Sequence, residues 1–158
     1  IDGLAVTEVI KAIIIIELFS FDYTNLNSLG FMVIFSMIPL YYFNFKKNRK
    51  IFLGDSGSLL LGTLIAIYIF YSLGDQYSIR SNWGMNKTLF SVLVLFYPLV
   101  DLLRIFLIRI VNGKSPFHPD KNHIHHKFFN FFKKSQRSLI AIEIIFSLMQ
   151  LLLFLIFT

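Results

Sequence analysis

Five apolar runs divide this chain, at residues 4–20, 29–45, 57–74, 88–111 and 138–157. Each approaches the roughly 20 residues an α-helix needs to cross a bilayer. Only 15% of the residues are charged, against about 25% in a soluble domain, so the runs read as membrane spans and not as core helices. The expected fold is therefore all-α, a polytopic membrane protein with about five transmembrane helices, and residues 1–158 read as a single membrane domain. The first run is the most interrupted, by Glu8, Lys11 and Glu17. Glu8 and Lys11 are three apart and can pair on one helix face. The fourth carries Asp101 and Arg104, so its end is expected to project from the membrane.

The connections alternate sides. Residues 46–50, "KKNRK", and the region 104–137 hold twelve of the fifteen Lys and Arg and share one side. That excess marks the side as cytoplasmic. Basic clusters beside a membrane are commonly topology signals alone; they can also attract anionic lipid or phosphate. A net charge of +6 needs no nucleic acid to explain it. The chain has no cysteine, which excludes a disulfide framework and a thiolate metal site. Residue 1 is Ile and no basic segment precedes the first run, so that run is not a signal peptide; the chain reads as part of something longer.

The polar residues converge on the cytoplasmic side. Asp2, Asp55, Asp101 and Asp120 fall there, with His118, His123, His125 and His126. Acidic groups at membrane helix ends are costly and are commonly functional. In "FLGDSGSLLLG", residues 52–62, Gly54 and Gly57 permit a tight turn and the helix start offers free N–H groups to an anion. A carboxylate beside bound phosphate needs a cation between them, and Mg²⁺ takes one or two carboxylates plus phosphate oxygens. The same residues also fit a plain N-cap by Asp55 or Ser56, followed by small-xxx-small packing through Ser58 and Gly62. In "PLVDLLR", residues 98–104, Asp101 either pairs with Arg104 within the helix or turns inward to position a substrate or another helix. "HPDKNHIHH", residues 118–126, is the densest feature. Its histidines suit Zn²⁺, hydrogen bonds to phosphate oxygens, or a solvated basic loop. Mg²⁺ prefers oxygen ligands. Ser115 precedes Pro116, which marks a turn.

"FLGDSGSLLLG" and "YPLVDLLRIFLIRIVNGKSPFHPDKNHIHH" together resemble the polyprenyl-phosphate N-acetylhexosamine-1-phosphate transferases, integral membrane enzymes of glycosyltransferase family 4. Gly-Asp-Ser-Gly, Pro-x-x-Asp and Ser-Pro-Phe-x-x-Asp-x-x-His-x-His-His occur in order, and the resemblance is strongest over residues 51–130. "IDGL" at 1–4 is similar to the end of the family's Asn-rich motif, which puts Asp2 at that motif's Asp. The preceding asparagines and the family's upstream Asp-Asp pair are absent, and "AVT" replaces the usual Gly-containing continuation. The resemblance implies the C-terminal half of such an enzyme, inactive alone.

It further implies transfer of a sugar-1-phosphate from a UDP-N-acetylhexosamine to undecaprenyl phosphate with release of UMP, at the bacterial inner membrane, facing the cytoplasm, to initiate cell-envelope polysaccharide. Asp55 would hold Mg²⁺, with Mn²⁺ as the alternative. His123, His125 and His126 would line the nucleotide-sugar site, with Asp55 as the catalytic set. Asp120 and Arg109 would orient the loop or contact phosphate, and Asp2, Asp101 and Ser115 complete the expected substrate-binding set. A homodimer is compatible with it. The pentapeptide transferases resemble one another in three adjacent histidines followed by Phe-Glu; His-Ile-His-His followed by Lys-Phe points instead to a simple donor such as UDP-GlcNAc. Two other classes stay open on the residues alone, a transporter subunit and a structural membrane segment with a zinc-binding loop.

Overall fold

The computed structural model describes residues 2–20, 25–45, 51, 53–79, 85–116, 123–124, 127, 131 and 137–157. Six helices are described: α1 (Asp2–Phe19), α2 (Asn25–Phe45), α3 (Gly54–Leu73), α4 (Lys87–Val94), α5 (Phe96–Val111) and α6 (Arg137–Phe157). Among the described residues no strand forms; a single isolated bridge pairs Ser20 with Ile79. The helices group into two compact units, Ile1–Val94 and Leu95–Phe157.

In the first unit, α1 packs against α2, α3 and α4, and α3 also packs on α4. Leu4, Val6, Val9, Ala12, Ile13 and Ile16 are all buried, so α1 is enclosed on more than one face. By contrast, α2 exposes Phe31, Met32 and Phe35, and α3 exposes Leu59, Leu60 and Phe70. The helix with the most charge is thus the one shielded by protein, and the uniformly apolar helices face outward. That division suits a bilayer, where a charged side chain is tolerated only against protein or water. Lys11 Nζ meets Glu8 Oε1 at 2.6 Å, the pairing expected from their spacing.

Among the described residues the count of five spans is not confirmed. Among the described residues two helices are long and apolar enough to cross a membrane, Leu26–Asn44 and Gly54–Leu73. The helices Lys87–Val94 and Phe96–Val111 make a third if counted as one span. In the last helix the apolar stretch found is the shorter Ala141–Ile156, and two physical features set the first and fourth runs apart. Asp2, Glu8, Lys11 and Glu17 give α1 too much charge. Leu95 breaks the fourth run into α4 and α5, because Pro98 has no N–H for the Val94 carbonyl four residues back and its ring crowds that carbonyl. Pro98 then sits within the first turn of α5, where a missing N–H costs nothing.

In the second unit α5 packs on α6. The ring of Tyr97 meets that of Phe146 edge-on, with centroids 4.7 Å apart. Tyr97, Ile105, Ile142 and Phe146 are buried there.

Candidate functional site

Helix α3 begins at Gly54, whose φ of +67° is open to glycine at little cost. The residue before it, Leu53, makes no side-chain cap. The expected cap by Asp55 or Ser56 is therefore not the arrangement found. Asp55 lies inside the first turn and is exposed. The Ser58 hydroxyl donates 2.8 Å to the Asp55 carbonyl oxygen. Among the described residues nothing hydrogen-bonds the Asp55 carboxylate. A Cβ added at Gly62 would meet nothing within 4 Å, so the small-residue stripe marks no helix contact there.

The chain leaves α5 through a tight reversal. Gly113, at φ +66°, donates its N–H 2.9 Å to the Ile110 carbonyl, and Lys114 N–H donates 2.9 Å to that of Arg109. This pair of bonds is the Schellman arrangement, which needs a left-handed residue after the helix and satisfies its last carbonyls. Arg109 Nη1 then donates to the Pro116 carbonyl, holding the following segment back along the helix end. Ser115 is exposed.

Asp101 is buried on α5, 7% exposed. One carboxylate oxygen, Oδ2, lies 2.8 Å from His123 Nδ1; the other, Oδ1, accepts the Ile124 backbone N–H at 2.8 Å. Arg104 Nη1 stands 3.8 Å from Oδ1, an ion-pair distance beyond hydrogen-bond length. The Lys127 N–H reaches the His123 carbonyl at 3.3 Å, so the carboxylate also caps the free N–H of a helical turn. Of the two readings of Asp101, the intrahelical pair is present, and the carboxylate also turns to the segment at His123 and Ile124.

The remaining expected residues divide as follows. Asp2 opens α1, but its side chain lies outside the described residues. His118, Asp120, His125 and His126 also lie outside them. Among the described residues no group of three His, Cys, Asp or Glu side chains gathers to hold a metal. A lone exposed carboxylate fits Mg²⁺, which keeps several waters and takes oxygens from a phosphate ligand; it does not fit a closed protein cage.

Sequence reasoning missed a polar cluster at the opposite end of the first unit. Asn27 Nδ2 donates to the Glu17 carboxylate. The Tyr68 hydroxyl donates 2.8 Å to the Leu26 carbonyl, and the Tyr77 hydroxyl 2.8 Å to that of Ile16. Together with Tyr71 these residues line a small cavity. The available signal was Glu17 itself, an acid in an apolar run; its partners are distant in sequence. About 13 residues of α3, roughly 20 Å at the helical rise, separate Tyr68 from Asp55.

Comparison with known proteins finds similarity to one group of transferases. The model for glycosyl transferase family 4 matches residues 1–73. The chain is 36% identical over 124 residues to the probable undecaprenyl-phosphate N-acetylglucosaminyl 1-phosphate transferase of Bacillus subtilis, covering 75% of this chain and 31% of that protein. It is 39% identical over 85 residues to the decaprenyl-phosphate N-acetylglucosaminephosphotransferase of Mycobacterium leprae, covering 51% and 21%. It is 33% identical over 102 residues to the undecaprenyl-phosphate alpha-N-acetylglucosaminyl 1-phosphate transferase of Pasteurella multocida, covering 61% and 27%. The chain thus spans between a fifth and a third of the length of these relatives. No solved structure gives a significant match.

Proposed function

From the family 4 glycosyl transferase match over residues 1–73, we propose that the protein takes part in moving N-acetylglucosamine-1-phosphate from a UDP-sugar to a polyprenyl phosphate, with release of UMP. The observation that carries this reading is that the matched segment includes "GDSG" at 54–57, whose Asp55 is exposed in the first turn of a membrane helix. An oxygen of the lipid phosphate attacks the β-phosphorus of the donor, the bond from that phosphorus to UMP breaks, and UMP departs. Phosphoryl transfer of this kind depends on positioning and charge neutralisation more than on covalent chemistry by the protein.

Asp55 would hold Mg²⁺, or Mn²⁺ in its place, and the metal when bound neutralises the diphosphate. The histidine segment, with His123, His125 and His126, would contact the nucleotide-sugar. Arg109 and Asp120 would shape that segment, and Asp2 and Ser115 would contribute to substrate binding. The proposed location is the inner membrane with these residues facing the cytoplasm, in the service of cell-envelope polysaccharide. The test uses the protein as its gene encodes it, in membranes given undecaprenyl phosphate, Mg²⁺ and radiolabelled UDP-GlcNAc. Lipid-linked label and UMP in equal amounts are the expected result. Release of neither from well-inserted protein would overturn the reading.

A further inference from the structure

Glu17 sits in an apolar run, half-buried, and among the described residues no Lys or Arg pairs with it. On its own helix Lys11 meets Glu8 at 2.6 Å. On α4, Lys87 donates 2.6 Å to the Gly74 carbonyl. Helix α2 carries no charged residue, α3 faces the cluster with Tyr68 and Tyr71, and the loop after α3 faces it with Tyr77. Asn27 Nδ2 donates to one carboxyl oxygen of Glu17, Oε2. The Tyr68 hydroxyl is in hydrogen-bonding contact with the same carboxyl. Oε1 and the Tyr68 hydroxyl oxygen converge on Gly30, 2.5 and 2.7 Å from where its Cβ would stand. A phenol has one proton, and that of Tyr68 goes 2.8 Å to the Leu26 carbonyl. Two oxygens in hydrogen-bonding contact need a proton between them. With the phenol proton committed, the remaining source is the Glu17 carboxyl.

We infer that Glu17 is a proton-binding site: its side chain is held as the neutral carboxylic acid, whose O–H donates to the Tyr68 hydroxyl oxygen. The result is a one-way chain of donors, Asn27 to Glu17 to Tyr68 to the Leu26 carbonyl, that clasps α1, α2 and α3 together. The neutral form is the one a carboxyl adopts in apolar surroundings when no cation offsets its desolvation, and bonds in such a chain polarise one another. Ionisation breaks the pattern, because Oε1 then becomes an acceptor facing an oxygen whose proton is already used. Either the Leu26 bond is given up or the contact opens. The clasp is therefore sensitive to pH. An acid kept protonated by the fold has a folded-state pKa above its unfolded value. Its contribution to stability is complete below about pH 4.3 and is lost as pH rises toward the folded value. The tyrosines of the cluster keep their protons below about pH 10, so Glu17 is the group in it that titrates at lower pH.

Glu17→Gln imitates the acid and not the anion, since its amide accepts from Asn27 and donates to Tyr68. In the protein as its gene encodes it, at neutral pH in detergent, the infrared difference between wild type and Glu17→Gln should show the C=O stretch of a protonated carboxylic acid. The other acids are common to both and cancel. Between pH 5 and 8 the wild-type melting midpoint should fall relative to that of Glu17→Gln by a few degrees for each pH unit. Near pH 5 the two should melt together and Glu17→Ala below both. Tyr68→Phe removes the acceptor of the acid proton, so its difference from wild type should show the same stretch shifted or lost. That arm decides the question even where Glu17→Gln fails to insert. A carboxylate band in place of the acid band, a midpoint gap that stays constant from pH 5 to 8, or a stretch that Tyr68→Phe leaves unmoved would each overturn the inference. None of these readouts depends on the transfer reaction, so loss of that reading would leave this one standing.

Discussion

The Tyr77 hydroxyl donates 2.8 Å to the carbonyl oxygen of Ile16, 61 residues earlier. That carbonyl also accepts the Ser20 N–H at 3.1 Å, so the bond ties the loop after α3 to the last turn of α1. Tyr77 is only 1% exposed, and its ring meets those of Tyr71 and Phe90. Burial pushes its phenol up from the ordinary tyrosine value, and the nearby Glu17 carboxylate and Tyr71 add to the rise. A folded-state pKa above the unfolded one means that above about pH 10 the unfolded chain gives up a proton the folded chain keeps. Stability should therefore be insensitive to this group below pH 10 and fall with pH above it. Melting in detergent across pH 8–11 should show the decline in wild type and a shallower one in Tyr77→Phe. At neutral pH that variant should lose about 1 kcal/mol, the net worth of one such bond.

Gly30, on α2, lies against the Glu17 cluster. A Cβ there would lie 2.5 Å from Glu17 Oε1 and 2.7 Å from the Tyr68 hydroxyl oxygen. Both groups are engaged, with Asn27 and with the Leu26 carbonyl, so neither can withdraw without losing a bond. Gly30→Ala should destabilise the protein by about 1–3 kcal/mol, the usual cost of overpacking. Gly62→Ala is the contrast, because its added methyl meets nothing within 4 Å. That change should be neutral or stabilise by about 0.5–1 kcal/mol, as expected when alanine replaces a helix-interior glycine. Equal effects of the two substitutions on the melting midpoint would contradict this packing.

Apolar run length found the helices because it reports the same property the bilayer selects. The runs 29–45 and 57–74 became α2 and α3, and 138–157 became α6 with its start at Arg137. Starts were misplaced where a helix opens on polar residues, as at Asn25 and Gly54; hydropathy sees only the apolar middle. The break at Leu95 had a visible cause in Pro98, but a proline near a helix start and one inside a helix look alike until the boundary is known. At the site, the spacing of Asp101 and Arg104 suggested a local pair. That pair is present at 3.8 Å, but the carboxylate spends its hydrogen bonds on residues 22 and 23 positions away. No local pattern encodes such a contact, and the same holds for Glu17 with Asn27. Motif resemblance drew attention to Asp55 and His123 where periodicity could not.

The ends of α3 should be reachable from opposite sides of the membrane. Ile51 precedes the helix beside the basic cluster 46–50, and Gln76 follows it; both are exposed. Positive charge retained on the cytoplasmic side places Ile51 inside and Gln76 outside. In this cysteine-free chain, Ile51→Cys should resist an impermeant thiol reagent added to spheroplasts and Gln76→Cys should react. The reverse pattern would invert the orientation and put Asp55 on the outer face.

Asp55 offers the sharpest separation of chemistry from folding. Its carboxylate is exposed, with no hydrogen-bond partner among the described residues, so removing its charge takes nothing from the packing of α3. Being in the first turn, it gains from the positive end of the helix, an effect of about 0.3–1 kcal/mol. That sets the most stability Asp55→Asn can lose. If the carboxylate holds Mg²⁺ on a diphosphate, the same change removes a metal ligand and should lower turnover by about 10²-fold or more, the scale of losing one oriented electrostatic contact. The expected result is an unchanged melting midpoint within a few degrees, normal membrane insertion and UMP release reduced at least a hundredfold. Raising Mg²⁺ should recover part of the loss, since the site is weakened and the metal is supplied by mass action. Near-normal turnover in Asp55→Asn would reduce the residue to a charge at a helix end. A large drop in melting midpoint would show instead that Asp55 holds the fold.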